Sequence, residues 1–356
     1  MANQTEIIDV YLRRQAWLDR YAASQISEYV KRLERMRDRA VKRMEMLAKT
    51  RGQVGAFSRH VNALDEIIRE GAAAMKDEFE KGLTSLTTVE ASAEASAVSA
   101  AWPAAAASTA VIPEYRTPAA VLGVARQSFD KVDATARRYL RGIVAEAVNT
   151  GIPTRDAVLM AQAGAGRYFD GMARSHLSTI IRSGIMSVSA SIRDQTMQQN
   201  ASVVETVFWL STLDNRTTIH CAVRDGLPYS LPDYLPIDHS QLWGDGPGAA
   251  HYNCRSTFVP GFGETQMQGM RAGRDYRQTD RRGRPGKGRQ FRATTNFQRW
   301  FDTQPTWFKR DYLGPTRYAL YREGVPLGGF AAARPGNLLT IAELRGKYAE
   351  IFDRLN

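Results

Sequence analysis

Cysteine is scarce in this sequence, which contains 2 in 356 residues. Two thiols cannot build the disulfide framework of a small secreted scaffold, so they indicate a reducing compartment. The N-terminus, MANQTEIIDVYLRRQAW, has no apolar run of signal-peptide length. No uninterrupted stretch approaches the roughly 18 apolar residues that a membrane span requires. We therefore expect a soluble chain that is synthesised in the cytoplasm and has no membrane partner.

The sequence also lacks the common motifs of nucleotide chemistry. It contains no phosphate-cradling G-x-x-x-x-G-K-[ST] and no dinucleotide fingerprint. Nothing marks the strained turn that exposes a nucleophilic serine or cysteine. Asp238-His239 is too generic a pair to indicate a nuclease centre. These absences argue against an enzyme and against a small-molecule substrate.

Acidic residues are outnumbered, with 37 Asp and Glu against 48 Lys and Arg and a net charge of +11. Such an excess favours a polyanion or an acidic protein surface as partner, but it does not bear on the fold. Hydrophobic residues make up 43% of the chain, which is enough for a packed core. We predict an α+β, mainly helical protein with five segments.

Residues 1–87 form the first predicted segment, an N-terminal basic helical region. Apolar residues recur at helical spacing among basic ones, and the apolar set is Val30, Leu33, Val41, Met44 and Leu47. The basic face fits contact with DNA or an acidic protein, but it also fits an ordinary solvated face. Residues 88–117 are rich in Ala and Ser, and we expect a loosely held linker with Trp102 as an anchor.

Residues 118–262 are predicted to form a helical core with a small antiparallel sheet. An apolar stripe predicts a first helix that ends near Gly151, a second follows over 154–163 with Thr154 as N-cap, and a third spans 167–196. VVETVFWLST predicts a strand, LDNRTTIHCAVRDG a short helix capped by Asp214 and ended by Gly226, and NCRSTFVPG a second strand. The stripe consists of Val121, Ala125, Phe129, Val132, Ala136, Leu140 and Val144, and the third helix offers Ile180, Ile181, Ile185, Val188 and Ile192.

Two histidines and both cysteines fall in this core, as His220-Cys221 and as His251 with Cys254. Zinc is one interpretation, because H-x-x-C is an acceptable spacing for half of a tetrahedral site. Adjacent His220 and Cys221 would point about 100° apart on a helix, which leaves three comfortable ligands. A Cys–His nucleophile and a pair of buried thiols with satisfied histidines are the alternatives.

Residues 263–292 are predicted to be a solvated basic arm or loop, because a run so rich in charge, Gly and Gln is unlikely to pack. The arm fits either nucleic-acid phosphates or an acidic neighbouring subunit. Its cations are Arg271, Arg274, Arg277, Arg281, Arg282, Arg284, Lys287, Arg289 and Arg292. Residues 293–356 are predicted to be an aromatic-rich helical part in which the rings form a core. Thr340, with Glu343 three residues later, predicts a capped final helix.

Together these segments resemble the phage Mu F-like minor head proteins, also called head morphogenesis proteins. The resemblance covers about 118–350, and each motif that carries it is weak alone. The matching residues are Trp209, Asp214, Arg216, Thr217, His220, Cys221, Asp225, Gly226, His251, Asn253, Cys254 and Arg255. Two departures stand out: the family's Arg-Thr-Glu is Arg182-Ser183-Gly184, and Thr218 and Ser256 occupy places where members often carry cysteines.

The resemblance implies a non-enzymatic virion protein inside the phage head, near the portal vertex, that contributes to head morphogenesis. The portal protein, other capsid or scaffold proteins and packaged DNA are the partners it implies. No cofactor is expected unless His220, Cys221, His251 and Cys254 hold zinc. Two alternative functions stay open, namely a metal-dependent nuclease or hydrolase centred on this His/Cys cluster and a stand-alone nucleic-acid-binding module. A structural interpretation of the same residues is that the Cys254 side chain packs inward. Arg255 would then form a charge-assisted hydrogen bond with Asp214 or Asp225.

Overall fold

The computed structural model describes residues 4–49, 54–149, 167–262, 269–332 and 338–355, together with Asp156, Leu159, Ala163 and Gly164. The fold is α+β and mainly helical, as expected. The helices are α1 (Gln4–Lys49), α2 (Val54–Ala101), α3 (Ala104–Thr109), α4 (Ala119–Asn149), α5 (Arg174–Gln199), α6 (Ile219–Ala222), α7 (Phe297–Asp302), α8 (Thr306–Arg322), α9 (Ile341–Lys347) and α10 (Ala349–Leu355). A π-helical turn spans Tyr168–Ala173 and a 3-10 turn spans Leu327–Phe330. The strands are β1 (Thr206–Leu210), β2 (Pro228–Ser230), β3 (Thr257–Gly261), β4 (Met270–Thr279) and β5 (Pro285–Arg292).

The chain divides into two compact units built from discontinuous segments. The first unit comprises Met1–Trp17, Val89–Tyr115 and Ser189–Asn356, and the second comprises Leu18–Thr88 and Arg116–Val188. Neither unit follows the five sequence segments, because α1, α2 and α5 each contribute to both.

The second unit is helical and its core follows the predicted stripes. Ala125, Phe129, Val132, Ala136 and Leu140 of α4 are all buried, as are Val30 and Leu33 of α1 and Ile181, Ile185 and Val188 of α5. Gly184 lets α5 approach closely, because a Cβ there would lie 2.9 Å from the Phe79 ring. The basic face of α1 is partly neutralised, since Arg32 pairs with Glu78. The helix predicted over 154–163, with Thr154 as its cap, lies largely outside the described residues.

The Ala/Ser tract is not a linker, and this prediction was wrong. Helix α2 continues through it to Ala101, and Glu94 and Trp102 are buried with 5% and 2% exposure. Glu94 accepts a hydrogen bond of 2.8 Å from Tyr11 and lies 3.4 Å from Arg193 Nε. Burial raises the pKa of Glu94, although Arg193 opposes it. Alanine has the highest helix propensity, and Ala97 and Ala101 of the tract are buried. Trp102 is therefore an anchor, as predicted.

A three-stranded antiparallel sheet lies in the first unit, in the order β2-β1-β3. Trp209 of β1 is paired with Phe258 of β3 and is fully buried. The predicted strand at β1 is confirmed. The second predicted strand is shorter than expected, because Asn253 adopts a left-handed conformation (φ 60°) and pairing begins only at Thr257. Asn253, Cys254 and Arg255 therefore lie in the turn that enters β3.

Residues 270–292 form a β-hairpin, so the solvated arm or loop predicted over 263–292 was wrong for these residues, while 263–268 lie outside the described residues. Strands β4 and β5 pair from Met270 with Arg292 to Asp275 with Lys287. Gly273 forms a bridge to Leu213, where a Cβ would lie 2.7 Å from the Leu213 Cβ. The hairpin packs because residues on one face, Arg271 and Gly273, bond to the core. The amino-acid composition of the segment does not indicate this.

The C-terminal part is helical and aromatic, as predicted. Phe297, Trp300, Phe301, Phe308 and Leu313 are buried, whereas Trp307 is 49% exposed and does not belong to the core. Helix α8 is interrupted at Gly314 (φ 72°), directly before Pro315. The predicted capping box of α9 is present, with Thr340 and Glu343 each bonded to the other's backbone amide.

Candidate functional site

Helix α6 and the turns around it bring the distant motif residues together. Thr218 is the N-cap of α6 and accepts a hydrogen bond of 3.4 Å from the Cys221 amide. Asp214 was expected in that role and instead accepts a bond of 3.0 Å from the Arg216 amide. Gly226 is left-handed (φ 84°), as predicted, and donates a bond of 2.8 Å to the carbonyl of Trp209.

The first buried ion pair of the site joins Asp214 to Arg255. The two guanidinium nitrogens of Arg255 donate to the two carboxylate oxygens of Asp214 at 2.9 and 2.5 Å. Both side chains are buried, so this bidentate pair is weakly screened by solvent. Arg255 was predicted to bind Asp214 or Asp225, and of these two it binds Asp214. Arg216, by contrast, is mostly exposed, with its Nε 3.8 Å from Asp214. Thr217 donates to the carbonyl of Thr212 at 2.5 Å.

The second buried ion pair joins Asp225 to Arg271. Arg271 donates to both carboxylate oxygens at 2.9 Å, and the Ser211 amide donates to the same carboxylate at 2.6 Å. The guanidinium also binds the carbonyl of Ser211 and, at 3.3 Å, that of Thr295. Arg271 is 1% exposed and Asp225 2%. Arg271 was predicted to lie in the basic arm, so the sequence-based prediction missed its role in the core. The spacing of Arg271, Gly273 and Asp275, two residues apart on one face of a strand, could have indicated a buried face.

Cys221, His251 and Cys254 form a thiol–imidazole cluster. Their ligand atoms all lie within 4.8 Å of one another. Cys221 Sγ lies 3.8 Å from Cys254 Sγ and 3.1 Å from His251 Nε2. His251 Nδ1 donates to the carbonyl of Tyr252 at 2.9 Å, which leaves the Nε2 lone pair directed at the thiols. The cluster therefore presents one nitrogen and two sulfur atoms.

The separation of the two sulfur atoms in the cluster matches one edge of a tetrahedral zinc site. A tetrahedron with Zn–S distances of about 2.3 Å has an S···S edge of about 3.8 Å, and the two Sγ atoms are separated by 3.8 Å. Thr218 Oγ1 lies 3.1 Å from His251 Nε2, so Thr218 borders the cluster. Burial raises the pKa of Cys221 well above its usual range, although a hydrogen bond with Ser256 opposes the rise.

His220 lies outside this cluster, which corrects the four-ligand set predicted from the sequence. Its Nδ1 accepts a hydrogen bond of 3.1 Å from Arg224, and its ring centroid lies 6.1 Å from that of His251. Burial, reinforced by Arg224, lowers the pKa of His220 to about 4. Successive residues on a helix point in different directions, so only Cys221 of the pair faces the cluster.

The cluster residues differ in their preferred protonation. A hydrogen bond with Cys221, aided by one with His251, holds the pKa of Cys254 well below its usual range. Burial lowers the pKa of His251, but its hydrogen bond with Cys254 and the charge of that thiolate outweigh burial and raise it. The lowered pKa of Cys254 favours its thiolate, which is the form of cysteine that binds metals.

The other eight cations predicted as contacts lie on the hairpin and are exposed. They are Arg274, Arg277, Arg281, Arg282, Arg284, Lys287, Arg289 and Arg292. The basic run therefore contributes one side chain, Arg271, to the core and eight to the surface.

Comparison of the chain with protein-family models, curated protein sequences and solved structures finds no match. Among the helices of the described ranges, none combines the length and apolar character that crossing a membrane requires.

Proposed function

We propose that this chain is a structural, non-enzymatic component of a tailed-phage head, located inside the capsid near the portal vertex. The resemblance to minor head proteins supplies the biological setting. One structural observation supports a scaffold role: Asp214 and Asp225 are each bound by a buried arginine of another segment. These motif residues therefore bind other segments of the same chain. A catalytic group would instead need to reach a substrate.

A metal-dependent nuclease or hydrolase is the competing function, and the same geometry disfavours it. Paired carboxylates bind catalytic metals through free oxygen atoms, but both oxygens of Asp214 and of Asp225 accept from guanidinium groups. Cys221 and Cys254 are buried at 2% and 0% exposure, so neither thiol is placed to attack a bound substrate.

Mass spectrometry of purified particles tests the location. The protein should be found at a low copy number relative to the major capsid protein in particles from the phage that encodes it. Particles made with a nonsense allele of this gene provide the matched control, and should lack its peptides. Detection in precursor heads but not in mature particles would contradict a resident virion component and would identify an assembly factor.

We further propose that Cys221, His251 and Cys254 hold a structural zinc ion. The supporting observation is that three ligand atoms lie within 4.8 Å of one another, with an S···S separation of 3.8 Å that suits tetrahedral coordination. When bound, zinc would join α6 to the turn before β3, and its contribution would be to folding stability. This proposal is independent of the virion location, because it concerns only residues within the first unit.

A further inference from the structure

The β4–β5 hairpin concentrates most of the protein's net charge. Residues 271–292 contain nine Arg and Lys and two Asp, a net charge of +7 from 22 residues, while the whole chain carries +11. Eight of the nine cations are exposed. A surface of this kind produces a positive potential that attracts polyanions.

Both carboxylates of the hairpin are already engaged within it. Asp275 accepts from Arg277 at 2.8 Å and from Arg289 at 3.1 Å, and Asp280 accepts from Arg284 at 2.9 Å. Among the described residues, no carboxylate lies within ion-pair distance of Arg281, Arg282, Lys287 or Arg292, which are therefore available to an external anion.

The base of the hairpin is fixed to the core, so its outer part is held in place. The Arg274 amide donates to the Leu213 carbonyl at 2.8 Å, and Trp300 Nε1 donates to the Arg274 carbonyl at 2.8 Å. At the tip, the carboxylate of Asp280 accepts from the amides of Arg282 and Arg284 at 2.8 and 3.0 Å. The cations are thus presented by an ordered two-stranded ribbon, which reduces the entropy lost on binding.

The chemistry of the outer ribbon favours a nucleic acid over an acidic protein. Residues 277–290, RQTDRRGRPGKGRQ, include no aromatic or aliphatic side chain except proline. Protein interfaces depend on buried apolar and aromatic anchors at their centre. Phosphate contacts require only donors and positive charge. A two-stranded β-ribbon is also of a size that the major groove of B-form DNA admits.

We propose that the β4–β5 ribbon binds double-stranded DNA, mainly through backbone phosphates and with little dependence on base sequence. The inference depends on the ribbon's charge and geometry, and it goes beyond the structural role proposed above. It holds whether or not the protein is found in virions, so the particle experiment and the binding experiment can fail separately.

The test measures binding of the full-length protein to a fluorescein-labelled duplex of mixed sequence by fluorescence anisotropy, between about 50 and about 200 mM KCl. The ribbon variant carries Arg281→Gln, Arg282→Gln and Lys287→Gln. The matched control carries Arg310→Gln, Arg322→Gln and Lys347→Gln, three exposed cations on the C-terminal helices. Both variants lose the same net charge, and circular dichroism verifies that each is folded.

Wild-type affinity should fall steeply with salt. The ribbon variant should flatten the slope of log affinity against log salt by about 3, because each phosphate contact contributes about 0.9. Its affinity at about 100 mM salt should fall at least roughly tenfold. The control should keep the wild-type slope. Equal effects of the two variants would overturn the proposal in favour of net charge alone, and absence of wild-type binding would also overturn it.

Two competitors distinguish the partner class. Unlabelled single-stranded DNA should compete less well than the duplex at equal phosphate concentration. Poly-L-glutamate should compete weakly at equal charge, since its carboxylates do not match a groove. If poly-L-glutamate competes as strongly as duplex DNA, the proposal is overturned in favour of an acidic protein partner. If single-stranded DNA competes more strongly than the duplex, the proposal that the ribbon binds double-stranded DNA is overturned.

Discussion

Asp225 is 2% exposed, so its charge is stabilised by Arg271 and the Ser211 amide rather than by water. A buried ion pair of this kind adds little when compared with an apolar pair, yet removing one partner is strongly destabilising. The same reasoning applies to Asp214 and Arg255. Substitution of one residue of either pair should therefore lower the free energy of unfolding, because its partner's charge stays buried without a counter-charge.

Replacing Arg271 with Met should lower the free energy of unfolding by about 3–5 kcal/mol, because the Asp225 carboxylate stays buried without its counter-charge. Urea denaturation followed by circular dichroism measures the change. Arg292→Met, at an exposed position of β5, is the matched control and should change stability by less than about 1 kcal/mol. Similar effects from both substitutions would show that Arg271 does not hold the core.

Stability should also depend on pH through Asp275. Hydrogen bonds, that from Arg277 first, lower the pKa of this carboxyl from 3.8 to about 2. A depressed folded-state pKa contributes stability that is complete above about pH 4 and is lost as pH falls toward 2. Both arginine partners are about half exposed, so the loss should be about 1–2 kcal/mol after solvent screening.

Comparison of wild type with Asp275→Asn isolates this contribution. Urea denaturation at several pH values between about 2 and about 5 should show a smaller pH dependence in the variant, since its side chain does not titrate in that range. Identical pH profiles would mean that other carboxyls govern acid unfolding.

The zinc proposal predicts about one zinc per chain in protein purified from zinc-supplemented cells, as measured by inductively coupled plasma mass spectrometry. His251→Gln should lose most of the metal, whereas His220→Gln should retain it, because His220 Nδ1 is directed at Arg224 rather than at the cluster. Thr218→Cys should bind zinc more tightly by adding a thiolate beside His251. Metal-free wild-type protein, or equal loss in the two histidine variants, would exclude this ligand set.

At the scale of elements, α2 continues through the alanine-rich tract, although its composition predicted a linker. Its C-terminal part, after residue 88, is helical and carries the buried Glu94 and Ala101. We expect slow hydrogen exchange for the amides of 95–101, which are bonded within the helix, and faster exchange for those of 112–116, which have no regular structure. Mass spectrometry after deuterium labelling measures both segments. Equally fast exchange would support the loose connector predicted from composition.

Local patterns in the sequence were sufficient for much of this fold. Apolar spacing identified the core faces of α4 and α5, and the Thr340–Glu343 signal identified the start of α9. Such features depend on residues within one or two helical turns. The meeting of Cys221 with His251 and Cys254 was one of the interpretations open from the sequence, where His220 was included as well, and Asp214 was one of two acidic partners predicted for Arg255.

The errors share a physical origin in contacts between distant residues. Glu94 is buried because Tyr11, 83 residues earlier, donates to it, and Arg271 is buried because Asp225, 46 residues earlier, accepts from it. Composition alone makes both segments look solvated. His220 was placed among the ligands because its distance from Cys221 along the chain is short, while the direction of its side chain depends on Arg224.

At the scale of the whole molecule, the first unit draws its core from both ends of the chain. One hydrophobic cluster contains Ile7, Tyr11 and Trp102 together with Trp209 and Cys254. The segment that resembles the minor head proteins, about 118–350, therefore lacks part of the core on which its own motif packs. The segment 118–350 therefore does not coincide with a folding unit, because the first unit also contains residues 1–17 and 89–115.

A fragment that spans residues 118–356 should consequently be poorly folded, because it lacks Ile7, Tyr11 and Trp102. We expect it to bind the dye ANS and to lose a cooperative thermal transition that the full chain shows. Adding a peptide of residues 1–117 should restore part of the transition if these contacts suffice. A fragment with the same cooperative transition as the full chain would show that the N-terminal contacts are dispensable.

The bond between Arg271 and Asp225 also bears on how the ribbon can change over generations. A deletion of the hairpin alone would leave the Asp225 carboxylate buried without a cation, which is strongly destabilising. Loss of the ribbon without this penalty therefore requires that Asp225 is also replaced by an apolar residue. Natural variants should therefore differ in the exposed cations at its tip, where substitution leaves the buried pair intact.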